Sequence, residues 1–365
     1  MSMSTGTKVV VAMSGGVDSS VAAALLKEQG YDVIGITMQV WPSKKSFGGC
    51  CSLEAVTDAK KVADKLDIPH YVLNFRDVFQ KDVINNFVEE YKQGRTPNPC
   101  IRCNQFIKFD HLHKKALELG AGYVATGHYA RIINYELRNQ NDEIIHNYQL
   151  LKGKDQKKDQ AYVLYMMNQE NLGQTIFPLG DLTKDEVRRM AKDFNLPVAE
   201  KEESQEICFV EDDDYSRFIK ENCPDAIKPG RILDKKGNVV GQHDGIAFYT
   251  LGQRKGIGSH KGDPKYVIGI DRGKNAIVIG DQEDTFGKEL VAEQVSYVSG
   301  QAPKEPLEIK ARIRYNSPEE EARLEAEVQA KARVIFKKPQ RAITPGQSVV
   351  FYKGDEVIGG GIISG

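Results

Sequence analysis

The sequence predicts a doubly wound α/β domain with a parallel sheet, then a small β-rich domain, then a C-terminal β-barrel or sandwich. Three observations predict this. From Lys8 to Gly127, short apolar strands alternate with helical stretches. No tight hairpin is read among them, so the strands are expected to run parallel. After Asn222, glycines and short β-rich runs replace the alternation. A chain of 365 residues also exceeds one ordinary core, which argues for two or three domains.

The elements follow in order. Lys8 to Met13 (KVVVAM) is an unbroken apolar run, as a strand covered on both faces requires. After the turn Ser14 to Ser19, Ser20 to Gln29 reads as a helix closed by Gly30. Tyr31 to Met38 is a second strand, Glu54 to Leu66 a helix, and Pro69 to Phe75 a third strand. Lys81 to Gln93 and Phe109 to Leu119 have helical spacing, and Tyr123 to Gly127 is another strand. Leu150 to Leu196 reads as mainly helical, with Thr183 and Glu186 forming a capping box ahead of Val187 to Phe194. Ala247 to Leu251, Tyr266 to Asp271 and Ala276 to Gly280 are short β-rich runs. Longer alternating runs follow Leu290: Leu307 to Tyr315, Leu324 to Gln329, Ala332 to Phe336, Gln347 to Tyr352 and Val357 to Ile363. The expected divisions are residues 1–222, 223–288 and 289–365.

Composition narrows the function classes. Hydrophobic residues make up 40% and charged residues 28%, as in soluble globular proteins. No apolar run approaches the roughly 20 residues of a membrane span, so no membrane partner is expected. Met1 to Thr7 lacks the basic and apolar regions of a signal peptide, which points to the cytoplasm. A net charge of −1 provides no global attraction for nucleic acid. Any RNA contact must then come from local patches. Arg254, Lys255, Lys261, Lys265, Arg272 and Lys274, set against Asp263 and Asp271, form either such a patch or an ordinary solvated loop.

Ser14-Gly15-Gly16-Val17-Asp18-Ser19 lies between a buried strand and a helix. Glycines let backbone approach a phosphate, and a helix N-terminus offers free N–H groups. Ser14, Ser19 and Ser20 add hydroxyls. The loop lacks the GK[ST] ending of a Walker loop and the GxGxxG spacing of a dinucleotide fold. The plainer alternative is a turn that needs Gly for geometry alone. The loop resembles the SGGxDS loop of the PP-loop ATP pyrophosphatase superfamily, whose fold is that of the adenine nucleotide alpha hydrolases. The resemblance implies ATP held by Ala12, Met13, Ser14, Gly15, Gly16, Val17, Asp18 and Ser19. It also implies Asp18 near Mg²⁺, Met38 at the adenine and Gly127 near the nucleotide.

Six cysteines, Cys50, Cys51, Cys100, Cys103, Cys208 and Cys223, are in a reducing compartment core, metal-binding or catalytic more often than disulfide-bonded. Cys100 and Cys103 (RTPNPCIRCN) allow three readings: half a zinc site with His111 and His113, a redox pair, or a reactive thiol near the nucleotide. Cys208 (SQEICFVEDDDY) reads from residues alone as a small core hydrophobe. Glu203, Glu206, Glu211 and Asp212 would disfavour its thiolate. Cys50, Cys51 and Cys223 read as structural.

RTPNPCIRCN, ATGHYAR, KKDQAYVLY, SQEICF, TLGQRKG, RIRYN, TPGQSVVFY and the closing GGGII occur in the order found in the MnmA/TrmU family of bacterial tRNA-specific 2-thiouridylases. The resemblance spans nearly the whole chain. It implies a catalytic PP-loop domain with a helical tRNA-contacting segment, a β-rich linker and a C-terminal β-barrel. The implied reaction is ATP-dependent 2-thiolation of uridine 34 in the tRNA anticodon loop, with AMP and pyrophosphate released. Cys103 matches the family's nucleophile and Cys208 the persulfide carrier, a pair that should finish as a disulfide. Asn98, Pro99 and Cys100 match the segment at the target base; many relatives carry Asp at the last of these. His128, Lys158, Asp159, Gln160, Arg314, Tyr315 and Gln347 match tRNA-contacting positions. The family also implies a sulfur donor, a cysteine desulfurase or sulfur-relay protein. Two other readings share the ATP loop: a C–N-forming adenylating ligase or amidotransferase, and a catalytically inactive RNA-binding relative.

Overall fold

The computed structural model describes residues 6–41, 53–138, 144–202, 207–210, 214–224, 227–258 and 264–364. The first strands and helices are β1 (Lys8–Ala12), α1 (Val17–Glu28), β2 (Asp32–Gln39), α2 (Leu53–Leu66) and β3 (His70–Asn74). A helical layer follows: α3 (Arg76–Phe79), α4 (Asn85–Lys92), α5 (Pro99–Arg102) and α6 (Leu112–Glu118). Wide π turns join these helices, at Gln80–Ile84 and at Cys103–His111. The helical stretches read from spacing are therefore present but not continuous α-helix.

Beyond β4 (Tyr123–Ala125), the chain forms β5 (Ala130–Arg138) and β6 (Ile144–Lys152). These two pair antiparallel along their whole length. The hairpin lies beyond the strands read from Lys8 to Gly127, which pair only in parallel; β6 takes Leu150 to Lys152 from the stretch read as mainly helical, a correction to that reading. The signal was present: alternating runs flank the Asn-Gln-Asn-Asp stretch at 139–142, a turn composition. Next come α7 (Gln169–Gly173), β7 (Thr175–Ile176), α8 (Lys184–Asp193) and α9 (Tyr215–Asn222). The capping box expected at Thr183 and Glu186 forms, starting α8 at Lys184.

The parallel sheet has the order β3-β2-β1-β4-β7. The chain builds outward from β1 through β2 to β3, then returns to place β4 on the other side of β1. In such sheets the crevice opens at the carboxyl ends of the two strands where the winding reverses. The loop after β1 and the segment after β4 lie there. Val9, Val10 and Val11 are fully buried, which explains the unbroken apolar run.

A second sheet, β10-β11-β8-β9, comprises β8 (Gly230–Leu233), β9 (Val239–His243), β10 (Tyr266–Asp271) and β11 (Ala276–Gly280). The apolar run Ala247 to Leu251 is not a strand; a 3₁₀ turn, Ile246–Phe248, occupies it. Its residues are apolar because Ile246, Ala247 and Tyr249 are buried, not because they pair.

The C-terminal strands are β12 (Phe286–Tyr297), β13 (Leu307–Arg312), β14 (Glu320–Glu327), β15 (Lys331–Arg341), β16 (Ser348–Lys353) and β17 (Glu356–Ile363). They run β12-β15-β14-β13-β16-β17, and β12 pairs back with β17. That pairing closes a six-stranded antiparallel barrel and removes its open edges. The β5–β6 hairpin joins the barrel's sheet through Leu151 opposite Glu356. The expected α/β domain, β-rich middle and C-terminal barrel are all present.

Candidate active site

The loop after β1 is built for an anion. Gly16 caps α1 without any side-chain hydrogen bond to the helix, so the first-turn N–H groups keep room for a ligand. The loop's hydroxyls brace its own backbone: Ser19 Oγ accepts from the Ser14 N–H at 3.2 Å and donates to the Gly16 carbonyl at 3.2 Å. Ser20 Oγ donates to the same carbonyl at 2.8 Å. Ser14 is exposed, whereas Ala12, Met13 and Val17 are buried.

Two glycines allow close approach. Gly15 has φ +71°, and a Cβ there would lie 2.1 Å from the Ala55 carbonyl oxygen of α2. A Cβ at Gly127, just past β4, would lie 2.8 Å from the Asp18 carbonyl carbon and the Ser19 nitrogen. Gly127 therefore packs directly on the loop.

Asp18 has strong partners. Lys184 Nζ donates to its two carboxylate oxygens at 2.7 and 2.8 Å, and the Tyr129 hydroxyl donates to Oδ1 at 2.8 Å. Lys184 is the first residue of α8 and only 7% exposed. Its backbone N–H donates to Asp155 Oδ2 at 2.9 Å, and the Thr183–Glu186 capping box fixes the start of the helix. Neither Lys184 nor Tyr129 was identified from sequence. The signal available was only a lysine directly after an N-cap threonine; its partner lies 166 residues earlier.

The cysteines meet a common core. Cys103 follows α5 as its C-cap and opens the π segment, a wide-turn geometry common at functional sites. Met38, Cys103 and Cys208 all pack, partly buried, against one apolar cluster that includes Ala12, Ile36, Phe79, Phe87, Ile107 and Phe209. Phe209 is 2% exposed, with its ring edge-on to Phe79 and Phe87 at 5.7 and 5.2 Å. Burying such a ring stabilises by about 1.5–3 kcal/mol, which anchors the turn carrying Cys208. Cys100 is exposed, and Cys103 and Cys208 are half-buried. Cys223 is buried, in keeping with a structural role. His111 faces Asp82 at 3.6 Å. Cys50, Cys51 and the acidic residues Glu203, Glu206, Glu211 and Asp212 lie outside the described residues.

The segment matched to the target base has a defined form. Asn98 is the N-cap of α5, its Oδ1 accepting from the Ile101 N–H at 3.4 Å; Pro99 occupies the first helical position and Cys100 is exposed. Gln347, from the barrel, donates to the Thr96 and Pro97 carbonyls at 3.0 and 3.5 Å and so holds this segment from behind.

The other positions matched to tRNA contact mostly hold protein to protein. His128 is buried between Phe109 and Phe177, and Thr126 Oγ1 lies 2.7 Å from its Nδ1. Burial, reinforced by Lys108, pushes its pKa well below the ordinary imidazole value. Asp159 is 5% exposed; its Oδ1 accepts from the Gly153 and Ala161 N–H groups at 3.0 and 3.1 Å, and burial raises its pKa. Gln160 Oε1 accepts from the Tyr129 N–H at 3.1 Å. Arg314 donates to the Ala342 carbonyl and to Thr344 Oγ1. Lys158 is half-buried, and Tyr315 is partly exposed with its hydroxyl on the Asp159 carbonyl. In the basic stretch from Arg254 to Lys274, Lys265 pairs with Asp281 at 2.7 Å and Lys274 with Asp271 at 3.3 Å.

Comparison with known proteins agrees with this architecture. The tRNA methyl transferase HUP domain matches residues 7–212, the tRNA methyl transferase PRC-barrel domain 216–281, and the aminomethyltransferase beta-barrel domain 287–363. The tRNA-specific 2-thiouridylase MnmA of Acetivibrio thermocellus is 54% identical over 98% of this chain and 99% of its own length. Those of Clostridium perfringens and Carboxydothermus hydrogenoformans are each 52% identical over 98% of this chain, covering 99% and 97% of their own lengths. With a braced anion loop, a shared core beneath two thiols, three matched domains and this identity end to end, the chain belongs to the tRNA-specific 2-thiouridylase family.

Proposed function

We propose that this protein is an ATP-dependent tRNA-uridine 2-sulfurtransferase acting on wobble uridine 34, with Cys103 and Cys208 as its sulfur-handling thiols. One observation supports the reading: Met38, Cys103 and Cys208 pack against the same apolar cluster, which includes Ala12 at the end of β1, just before the phosphate loop.

The C2 carbonyl of uridine is a poor electrophile. Its oxygen attacks the α-phosphate of ATP, pyrophosphate leaves, and the adenylated oxygen becomes a good leaving group. The first-turn N–H groups of α1 and the exposed Ser14 hold the phosphates, on a loop braced by Ser19 and Ser20. Asp18 and the loop hydroxyls are hard oxygen donors, suited to a Mg²⁺ held mainly by nucleotide phosphates. Among the described residues no cluster of three His, Cys, Asp or Glu side chains forms a protein cage for a metal.

Sulfur arrives as a persulfide on Cys208, supplied by a cysteine desulfurase or a sulfur-relay protein. In one route the Cys103 thiolate attacks the Cys208 sulfur, forming the Cys103–Cys208 disulfide and expelling hydrosulfide, which displaces AMP at C2. In the other, the terminal persulfide sulfur displaces AMP directly, and Cys103 then attacks Cys208 to release 2-thiouridine with the same disulfide. Both need the two Cα atoms about 4.4–6.8 Å apart at that moment. An external thiol reductant resets the pair. No helix among the described residues is long and apolar enough to cross a membrane, and we assign the protein to the cytoplasm, where its tRNA substrate resides.

The test is mass spectrometry of tRNA nucleosides after incubation with ATP, Mg²⁺ and a sulfide source. A gain of sulfur at uridine 34 is expected. Cys103→Ser and Cys208→Ser should each abolish transfer from a persulfide donor while ATP binding persists. Full turnover by both variants would favour the ligase or amidotransferase reading instead.

A further inference from the structure

The phosphate loop contains no lysine. Between Met13 and Ser20 its only charged side chain is the acid Asp18. A loop that must hold a triphosphate is thus given a negative charge and no cation of its own. The fold supplies the missing cation from elsewhere. Lys184 Nζ reaches Asp18 Oδ1 and Oδ2 at 2.7 and 2.8 Å from the first residue of α8. We infer that Lys184 is the phosphate-binding lysine of this loop, delivered in space rather than in sequence. This rests on the nucleotide reading given above.

Four observations carry the inference. Lys184 is 7% exposed, and a buried ammonium needs paired anions to offset its desolvation. The residue's backbone is fixed, its N–H by Asp155 and its helix start by the Thr183–Glu186 box, so the side chain reaches the loop from a held base. Asp18, its partner, is the second residue of α1, next to first-turn N–H groups that receive no side-chain cap from Gly16 and can take an anion. Finally, the Asp18 carboxylate is held independently by the Tyr129 hydroxyl, so it keeps a partner if Lys184 turns toward a phosphate.

The chemistry follows from charge. Before nucleotide binds, Lys184 neutralises Asp18 and the loop carries no net side-chain charge. A phosphate oxygen arriving at the α1 N-terminus brings a second anion within reach of the same ammonium. Lys184 then bridges carboxylate and phosphate. This places its contact on the pyrophosphate end of the nucleotide and not on the adenosine at Met38.

The test separates a phosphate contact from a merely structural ion pair. Pyrophosphate, AMP and ATP are titrated calorimetrically into the full-length protein without tRNA, for wild type, Lys184→Met, Asp18→Asn and the double variant. Lys184→Met should weaken pyrophosphate and ATP at least tenfold and AMP less than threefold. Lys184→Arg should restore part of the loss. In the Asp18→Asn background, where no carboxylate remains to be neutralised, Lys184→Met should still weaken pyrophosphate severalfold. Thermal melting of each variant without ligand confirms that it folds. Equal loss for AMP and pyrophosphate, or no loss in the Asp18→Asn background, would overturn the assignment and leave Lys184 as the partner of Asp18 alone. Wild-type protein that binds none of the three ligands would defeat the nucleotide reading itself, and this inference with it.

Discussion

The Tyr315 hydroxyl donates to the Asp159 carbonyl oxygen at 3.1 Å, joining the C-terminal barrel to the catalytic half across 156 residues. The Tyr315 ring also meets Tyr162 edge-on at 5.8 Å. Positions matched to tRNA contact on two domains are therefore one unit. Tyr315→Phe keeps the ring and loses the bond. Unfolding in urea should show a loss of about 1 kcal/mol, the usual worth of such a hydrogen bond. Tyr315→Ala should cost more and should also weaken tRNA binding, with ATP affinity unchanged.

A buried charge network lies beneath that contact. Glu319 accepts from Lys152 Nζ at 2.8 Å and from Arg312 at 2.9 Å, and all three side chains are largely buried. Glu319→Ala leaves two cations buried without their shared partner. The expected cost is about 3–5 kcal/mol, measured by denaturant melting. Glu319→Gln keeps an accepting oxygen and should cost less. Equal stability of all three proteins would contradict the network's role.

His128 gives the pH dependence. Its folded-state pKa is depressed by burial, so the neutral imidazole is the folded form. The unfolded chain titrates near pH 6.5 and binds the proton more readily. Stability from this group is therefore fully present above about pH 6.5 and is lost as pH falls toward the folded pKa. The slope approaches about 1.4 kcal/mol per pH unit for one proton. Urea midpoints from pH 8 to 5 should show this slope in wild type, and His128→Asn should reduce it by one proton.

Gly127→Ala tests the loop contact. The added Cβ would meet Asp18 and Ser19 backbone at 2.8 Å, and backbone cannot step aside as a side chain can. Calorimetric ATP affinity should fall at least tenfold while the barrel's stability is untouched. Unchanged affinity would mean that the loop does not need the close approach of β4.

The parallel sheet was legible because each strand carries its burial locally, as in KVVVA over β1. The β5–β6 hairpin carries a weaker signal: its apolar residues do not all face the core, Ile133 being 42% exposed, and no two-residue Asn-Gly or Asp-Gly pair marks it in the sequence. The break of the helical layer into π turns was not read, because the apolar spacing was matched only to the α-helical period. At the site, the glycines and serines of the loop were legible because their spacing is the chemistry. His128, Asp159, Arg314 and Gln347 were legible as positions only; Thr126, Gly153 and Ala161 are local partners, but those of Arg314 and Gln347 lie on distant segments.

By itself, the sequence determined most element types of the sheet and barrel, and the glycine- and serine-rich loop after β1. Those follow from contacts between near neighbours, where periodicity and residue type act directly. Only the tertiary structure decided that Lys184 meets Asp18, that Cys103 and Cys208 share a core with Met38, and that the barrel grips the segment before Cys100. Each is a contact between residues far apart in the chain. Loop closure and packing select such pairs, and no local pattern records them.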